Sequence, residues 1–214
     1  FNISEQILIN FLKEVDSGYH PNPYHNSLHA ADVLQVVHYS IAKGGASEFL
    51  RDEETFSVLL SAIIHDYDHP GLNNAFLVNA KSYLATLYND RSILENHHSA
   101  QSFELMKSPQ FDIFSGMTVE KRKEIRDIVI DVVLATDMGR HAKLVAKFKA
   151  KLENGIDLKK REDIRLILQI IIKVADVNNT SRPTHLYLKW ADRIVDEFYK
   201  QGDKERQLEL PVTP

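Results

Sequence analysis

Two apolar segments of the chain each end in ionisable side chains. The run Ala62-Ile63-Ile64 leads directly into His65 and Asp66, and the run from Ile170 to Ala175 ends in Asp176. Apolar runs of this kind belong in a protein core, where a carboxylate or an imidazole without a partner costs several kcal/mol. These side chains therefore need a partner that compensates their charge.

A divalent cation would be that partner, provided that the two segment ends meet in space. Two carboxylates brought together repel each other, and each resists ionisation in a dry site. A cation compensates the charge and occupies the lone pairs of the oxygen and nitrogen ligands. The chain has no cysteine, so a metal must be held by His, Asp or Glu, and such a set suits Zn²⁺, Mg²⁺, Mn²⁺ or Fe²⁺.

Further candidates lie in two histidine-containing groups. His25 and His29 are four residues apart, which places them on one side of a helix start. Glu95 opens the group Glu95-Asn96-His97-His98. A single histidine is more often a surface residue or a satisfied core residue than a ligand. No role is therefore assigned to the remaining isolated histidines, His20, His38, His141 and His185.

Helical periodicity dominates the chain and alternation typical of strands is scarce. In the segment 52–65, apolar residues recur with helical spacing, which predicts one buried stripe formed by Phe56, Leu59, Leu60, Ile63 and Ile64. A first helix carries Ile7, Phe11, Leu12 and Val15 on one face, and a second is capped by Asn26 or Ser27 and stopped by Gly44-Gly45. Further helices are predicted at about 72–80, 92–107, 120–136, 137–153, 161–177 and 184–201, with a loop over 108–118.

The composition is that of an ordinary globular domain. The chain has 214 residues, a hydrophobic fraction of 43%, a charged fraction of 26% and a net charge of −4, which gives no basic footprint for nucleic acid. No apolar run approaches the ~18 residues of a membrane span. We expect one compact all-α domain with its metal site at a junction of at least three helices. Trp190 and Phe198 are expected in the core.

Five sequence blocks, in this order and spacing, resemble a known family. They are YHNSLHAADV, HDYDHPG, LENHH, VLATDM and ADVNN, and further similarity runs through WADRIVDEFYKQGD. Together they closely resemble the catalytic domain of class I 3′,5′-cyclic nucleotide phosphodiesterases, within the HD superfamily of metal-dependent phosphohydrolases. A lone HD dipeptide would be weak evidence, whereas five ordered blocks are strong evidence.

The resemblance implies a role for each matching residue. The ligands of a tightly bound first metal, usually Zn²⁺, would be His29, His65, Asp66 and Asp176. Asp66 would also bridge to a second metal, usually Mg²⁺ or Mn²⁺, with His69, Glu95, Thr136 and Asp137 around the phosphate and the second metal's water shell. His25 would donate a proton to the leaving 3′-oxygen. The residues matching positions that line the nucleotide pocket are Tyr24, Met138, Asn179 and Ile194.

The implied reaction is hydrolysis of the 3′ phosphoester bond to the 5′-monophosphate. Two metals would lower the pKa of a bridging water and clamp the phosphate oxygens, while an imidazolium protonates the leaving alkoxide. Asn179 stands where many relatives that prefer cyclic AMP carry Asn, although at least one branch that prefers cyclic GMP does too. Cyclic AMP is therefore the favoured substrate and cyclic GMP the alternative.

The chain departs from the family pattern at both ends. It begins with Phe1, so we expect a piece of a longer protein without the family's first helices. It stops at Pro214, before the segment in which relatives carry the glutamine and phenylalanine that clamp the purine. Regulatory domains, and any regions that associate with membranes, would lie outside residues 1–214. The expected location is cytoplasmic, with no direct membrane insertion.

Two other interpretations stay open. One is an HD-type phosphohydrolase that acts on another nucleotide or phosphoester; the HNxxH block together with HDxDHPG argues against it. The other is a non-catalytic metal-binding helical module, such as a di-iron carrier or a partner-docking domain. A module of that kind would have no need for His25 beside a complete metal set. Turnover of cyclic AMP with and without a chelator distinguishes all three.

Overall fold

The chain folds from α-helices joined by turns. The computed structural model describes residues 1–213, and over these residues it contains no strand, which confirms the all-α prediction. In chain order the helices are α1 Glu5–Gly18, α2 Ser27–Ala42, α3 Asp52–Ile64, α4 Asn74–Asn79, α5 Tyr83–Leu87, α6 Ile93–Leu105, α7 Val119–Leu134, α8 His141–Asn154, α9 Arg161–Asp176 and α10 Thr184–Gln207.

Capping residues set several of these boundaries where the sequence predicts them. The side-chain oxygen of Asn26 accepts hydrogen bonds from the amides of Leu28 and His29, at 3.0 and 3.2 Å. These bonds satisfy two amides that have no partner within the helix, so α2 begins at Ser27. The helix ends at Ala42, just before Gly44-Gly45. The N-cap therefore fixes the turn of helix on which His29 lies.

Two local features differ from the prediction. The short helix α5 was not predicted, because five residues show too little periodicity, although Ser82 caps it by accepting from the amide of Ala85 at 3.1 Å. The helix predicted from residue 137 begins only at His141. A carboxylate oxygen of Asp137 accepts from the amide of Gly139 at 2.8 Å, which folds residues 138–140 into a 3₁₀ turn instead.

Helix α3 lies at the centre of the domain and packs against α2, α7 and α9. Val58 and Ala62 are completely buried, whereas Leu59 and Ile63 of the predicted stripe are only partly buried. The prediction of a single buried stripe is therefore wrong. An enclosed helix buries residues on more than one face, and periodicity alone does not distinguish it from a surface helix.

Two buried clusters of apolar side chains surround α3. One includes Phe11, Ile64 and Val133, together with Ile113 from the predicted loop over 108–118, which has no helix. The other includes Leu168 of α9 with its neighbours on α2, α3 and α7. Packing on both sides brings the C-terminal ends of α3 and α9 together.

None of the helices within residues 1–213 combines the length and the apolar character that crossing a membrane requires.

The turn after α2 is expected to be intolerant of a side chain at Gly44. A Cβ atom there would lie 2.6 Å from the backbone oxygen of Ser40, so the backbone would have to shift. We expect Gly44→Ala to lower the free energy of unfolding by about 1–3 kcal/mol, measured by urea denaturation. The control is Gly202→Ala within α10, where the nearest atoms would be 3.7 Å away. Alanine favours a helix by up to about 1 kcal/mol, so this variant should gain stability; equal effects of both variants would contradict the prediction.

Candidate active site

Four ligand atoms from distant parts of the chain converge at one point. The Nε2 atom of His29 lies 3.0 Å from Oδ1 of Asp176 and 3.4 Å from Oδ2 of Asp66. The Nε2 atom of His65 lies 3.1 Å from the same Asp66 oxygen and 3.5 Å from the same Asp176 oxygen. The two Nε2 atoms are 3.3 Å apart. We call these four residues the His–Asp cluster.

Three helices position the cluster. His29 lies on the buried face of α2, one turn after the Asn26 cap. His65 and Asp66 follow the last residue of α3, and Asp176 is the last residue of α9. The two apolar segments therefore do deliver their acids to one place, at a junction of three helices, as the sequence predicts.

The His–Asp cluster fits a bound metal ion. Ligands that surround a zinc ion tetrahedrally at about 2.0–2.1 Å lie about 3.4 Å from one another. The five separations given above lie between 3.0 and 3.5 Å. All four side chains are largely buried, and two imidazoles with two carboxylates form a donor set that zinc and similar ions accept.

The hydrogen bonds of His65 show why a positive charge is required there. Its Nδ1 lies 3.0 Å from the carbonyl oxygen of Ala62, which can only accept, so Nδ1 carries the hydrogen. In the neutral ring, Nε2 then directs a lone pair at the lone pairs of Asp66 and Asp176. Only a proton or a cation between these atoms makes the contact attractive.

Protons on the imidazoles can serve this purpose. Burial alone would lower the pKa of His65, but the charge and hydrogen bonding of Asp66 and Asp176 raise that pKa well above its ordinary value. Burial would raise the pKa of both carboxyl groups, but the two imidazoles hold the pKa of Asp66 and Asp176 below the usual range. A metal ion would replace protons held on the imidazoles.

His25 lies beside the His–Asp cluster but has a different partner. Its Nδ1 contacts Oε1 of Glu197, while the other oxygen of Glu197 accepts from the backbone amides of Tyr24 and His25 at 2.9 and 3.0 Å. Burial would raise the pKa of Glu197, but the hydrogen bonds from His25 lower it overall. Because Nδ1 is engaged, Nε2 is the nitrogen of His25 that is available for other contacts.

A stack of imidazole rings connects His25 to α6. The rings of His25 and His69 are stacked with centroids 4.0 Å apart, and His69 stacks on His98 at 5.5 Å. Burial and the neighbouring His25 hold the pKa of His69 well below its ordinary value, and burial lowers the pKa of His98 to about 4. Both rings are therefore neutral near pH 7.

Sequence reasoning missed two residues of the site. Nε2 of His98 lies 3.8 Å from Oδ1 of Asp66, whereas the sequence assigns a role only to Glu95 within the candidate group that contains His98. Glu197 lies in the middle of α10 among other charged residues, so no spacing in the sequence distinguishes it. Burial is what distinguishes Glu197 from the other charged residues of α10: it is only 3% exposed, which the structure alone reveals.

A cavity of about 570 Å³ opens above the His–Asp cluster. Its wall includes His25, His69 and Phe198, and it carries the carboxylates of Asp66, Glu95, Asp137, Asp176 and Glu197. No lysine or arginine among the described residues lines it. A cavity with five acids and no fixed cation repels an anionic ligand unless metal ions offset the charge.

The residues expected near a second metal, His69, Glu95, Thr136 and Asp137, all line this cavity. Glu95 accepts from the side-chain amide of Asn74 at 3.0 and 3.3 Å, and burial raises the pKa of Glu95 to about 7. Asp137 accepts from the hydroxyl of Ser92 at 2.6 Å. Thr136 lies beside it and also lines the cavity. Both carboxylates of the His–Asp cluster, Asp66 and Asp176, line the same cavity.

Tyr24, Met138 and Ile194 line the cavity, whereas Asn179 does not. Asn179 is buried behind Tyr24, and its side-chain amide donates to the Tyr24 hydroxyl. Asn179 can therefore influence a ligand by orienting Tyr24.

The expectation that Phe198 belongs to the core is wrong. Phe198 is 57% exposed and lines the cavity, because helix α10 turns this side chain toward the opening. Trp190 is partly buried and contacts Tyr24 edge to face, with ring centroids 5.6 Å apart.

A larger cleft of about 750 Å³ lies between α3, α7 and α9. Its charged side chains are largely paired with one another, as Arg51 is with Glu54 and Glu124. It contains none of the predicted site residues.

Comparison with known proteins agrees with this geometry. The family model described as 3'5'-cyclic nucleotide phosphodiesterase matches residues 24–214. The probable 3',5'-cyclic-AMP phosphodiesterase pde-4 of Caenorhabditis elegans is 38% identical over 221 residues, covering 100% of this chain and 33% of that protein. The 3',5'-cyclic-AMP phosphodiesterase 4C of Rattus norvegicus is 39% identical over 222 residues, covering 100% of this chain and 41% of that protein.

A solved structure, described as the structure of LmjPDEB1 in complex with IBMX, superimposes with a TM-score of 0.95. The two sequences are 35% identical, and the match covers 99% of this chain and 64% of that one. The chain thus spans about a third to two fifths of the length of these curated relatives. The family model covers most of the chain, and the chain therefore belongs to the 3′,5′-cyclic nucleotide phosphodiesterase family.

Proposed function

We propose that the chain hydrolyses the 3′ phosphoester bond of a cyclic nucleotide to give the 5′-monophosphate. One observation carries the proposal. The His–Asp cluster and a histidine held by a separate buried carboxylate, His25 with Glu197, adjoin the same cavity. A metal-binding module needs the cluster alone, whereas a hydrolase also needs a proton donor beside it.

In this proposal, His29, His65, Asp66 and Asp176 hold a first divalent cation, with Zn²⁺ favoured. Asp66 would also contact a second, Mg²⁺ or Mn²⁺, with His69, Glu95, Thr136 and Asp137 around the phosphate and the water shell of that ion. When bound, two such ions activate a water for attack and neutralise charge on the phosphate. They also explain how a cavity with five acids accepts an anion.

The chain's own contribution to the chemistry is a proton. As water adds to phosphorus, the P–O3′ bond breaks and its electron pair stays on the 3′-oxygen. His25 donates its Nε2 proton to that oxygen, while Glu197 accepts the hydrogen bond from Nδ1 and so fixes the ring. Of the two protons of the attacking water, one stays on the phosphate and the other replaces the proton that His25 has donated. His69, stacked on His25, limits the rotation of the ring.

We propose cyclic AMP as the preferred nucleotide. The relatives from Caenorhabditis elegans and rat are named as cyclic-AMP phosphodiesterases, and Asn179 orients Tyr24 beside the cavity. The test is to measure kcat/KM for cyclic AMP and cyclic GMP, with and without a chelator. Turnover of another phosphoester, but of neither cyclic nucleotide, would favour an HD-type phosphohydrolase of different specificity.

Removing a carboxylate of the His–Asp cluster should abolish both metal binding and activity. Asp66→Ala and Asp176→Ala each delete a ligand and leave the remaining groups with too little charge to hold a cation. Metal content is measured by mass spectrometry after gel filtration. Asp203→Ala is the control, since Asp203 is an exposed residue of α10. Full metal occupancy in both cluster variants would refute the assignment.

The two neighbouring histidines should differ in what their loss removes. His25→Ala should keep the first metal but lower kcat by ~10²–10⁴-fold, the usual contribution of a general acid. His29→Ala should lose the metal as well. A phosphodiester with a nitrophenolate leaving group needs little protonation, so His25→Ala should be partly rescued on it and His29→Ala should not. Equal metal loss in both variants, without rescue, would show that His25 is a ligand or a structural residue.

Glu197→Gln should behave as a milder form of His25→Ala. The amide keeps the size of the side chain but loses the negative charge beside Nδ1 of His25. We expect kcat on cyclic AMP to fall while metal content stays unchanged, and the deficit to shrink on the nitrophenyl substrate. A deficit of the same size on both substrates would mean that Glu197 does not act through the proton of His25.

A further inference from the structure

Lys173 is a buried lysine for which the proposed chemistry has no use. It lies near the end of α9 and is only 4% exposed. Its Nζ lies 3.1 Å from the carbonyl oxygen of Thr136, 3.3 Å from that of Ala135 and 3.4 Å from that of Asp137. Three acceptors match the three N–H groups of an ammonium, whereas a neutral amine would direct a lone pair at one of them.

The three carbonyls belong to the turn that forms one wall of the cavity. They follow the last residue of α7, at the negative end of its dipole, where a cation is stabilised. The same turn carries Thr136, Asp137 and Met138 into the cavity wall, and the sulfur of Met138 lies 3.5 Å from Nζ. Lys173 does not line the cavity; it stands behind this wall.

The turn is held from its other side by Ser92, whose hydroxyl donates to the Asp137 carboxylate at 2.6 Å. Ser92 has a φ of 44°, a left-handed conformation that an L-residue with a side chain rarely adopts. The turn is therefore held by α9 on one side and by the start of α6 on the other. Lys173 connects the turn to α9, the helix that also carries Asp176.

Lys173 also affects the charge of the cavity from behind. Burial lowers its pKa, and the nearby carboxylates of Asp176, Asp137 and Glu95 oppose that decrease. These are three of the five acids on the cavity wall, which has no lysine or arginine among the described residues. The ammonium therefore offsets part of the negative potential that attracts divalent cations.

We propose that Lys173 is a positioning residue with two effects: it anchors the Thr136–Met138 turn to α9, and its charge weakens the binding of divalent cations in the cavity. The inference rests on the proposed function, since it takes the cavity to bind metal ions and a nucleotide.

Two substitutions separate the two effects. Lys173→Gln and Lys173→Met both remove the charge, but only the glutamine retains N–H groups for the carbonyls. Calorimetric titration of chelator-treated protein with Mn²⁺ should show about three- to tenfold tighter binding in both variants, because one nearby positive charge is gone. The KM for cyclic AMP should rise clearly more in Lys173→Met than in Lys173→Gln, with a smaller change in kcat.

Two further variants serve as controls. Ser92→Ala releases the same turn from its other side without changing its charge, so it should raise KM and leave Mn²⁺ affinity unaltered. Lys143→Met removes a positive charge at an exposed position of α8, and it should change neither KM nor Mn²⁺ affinity. Thermal unfolding of every variant identifies loss of fold. If Lys173→Met does not fold, Lys173→Gln still tests the charge effect and Ser92→Ala the effect of the turn.

Unchanged Mn²⁺ affinity and unchanged KM in folded Lys173 variants would overturn the inference while leaving the proposed function intact. The inference is also overturned if the variants lose stability while Mn²⁺ affinity and KM stay unchanged, since Lys173 would then have only a structural role. If the wild-type chain binds no Mn²⁺ and hydrolyses neither cyclic nucleotide, the proposed function fails and this inference fails with it.

Discussion

The contact between two buried imidazoles and two buried carboxylates is the interaction on which the rest of the structure depends. His29 and His65 are completely buried, and their Nε2 atoms face oxygens of Asp66 and Asp176 at 3.0–3.5 Å. Without compensation these groups would oppose folding. The centrally packed α3 and the apolar face of α9 hold the two helix ends together, and the charge they gather is what makes the site able to bind a cation.

Hydrogen-bond partners, more than position along the chain, distinguish the two tasks of the site. His25 and His29 lie only four residues apart in the sequence, yet the ring of His25 is directed to Glu197 and that of His29 to Asp176. Glu197 is almost fully buried and also accepts hydrogen bonds from two backbone amides, so its carboxylate is held in place beside His25. In the proposed function, the ring held by Asp176 would be a metal ligand and the ring held by Glu197 a proton donor.

Sequence reasoning worked where local physics decides the outcome. The cap at Asn26 and the acids that end two apolar runs predicted the start of α2 and the meeting of the ends of α3 and α9. Sequence reasoning did not work where the outcome depends on burial by elements that are distant in the sequence. Val58 and Ala62 are buried because α3 is surrounded, and Glu197 is selected by burial from several charged residues on α10. No spacing of residues in the sequence predicts either of these burials.

The contact between His29 and Asp176 joins residues that are 147 positions apart. A cation held by both would act as a reversible cross-link that closes a loop covering most of the chain. The entropy cost of closing a flexible loop grows only logarithmically with the length of the loop. Closing this long loop would therefore cost only a little more entropy than closing a much shorter one. A bound cation would therefore link metal binding to global cooperativity, because it would oppose separation of the end of α9 from α2.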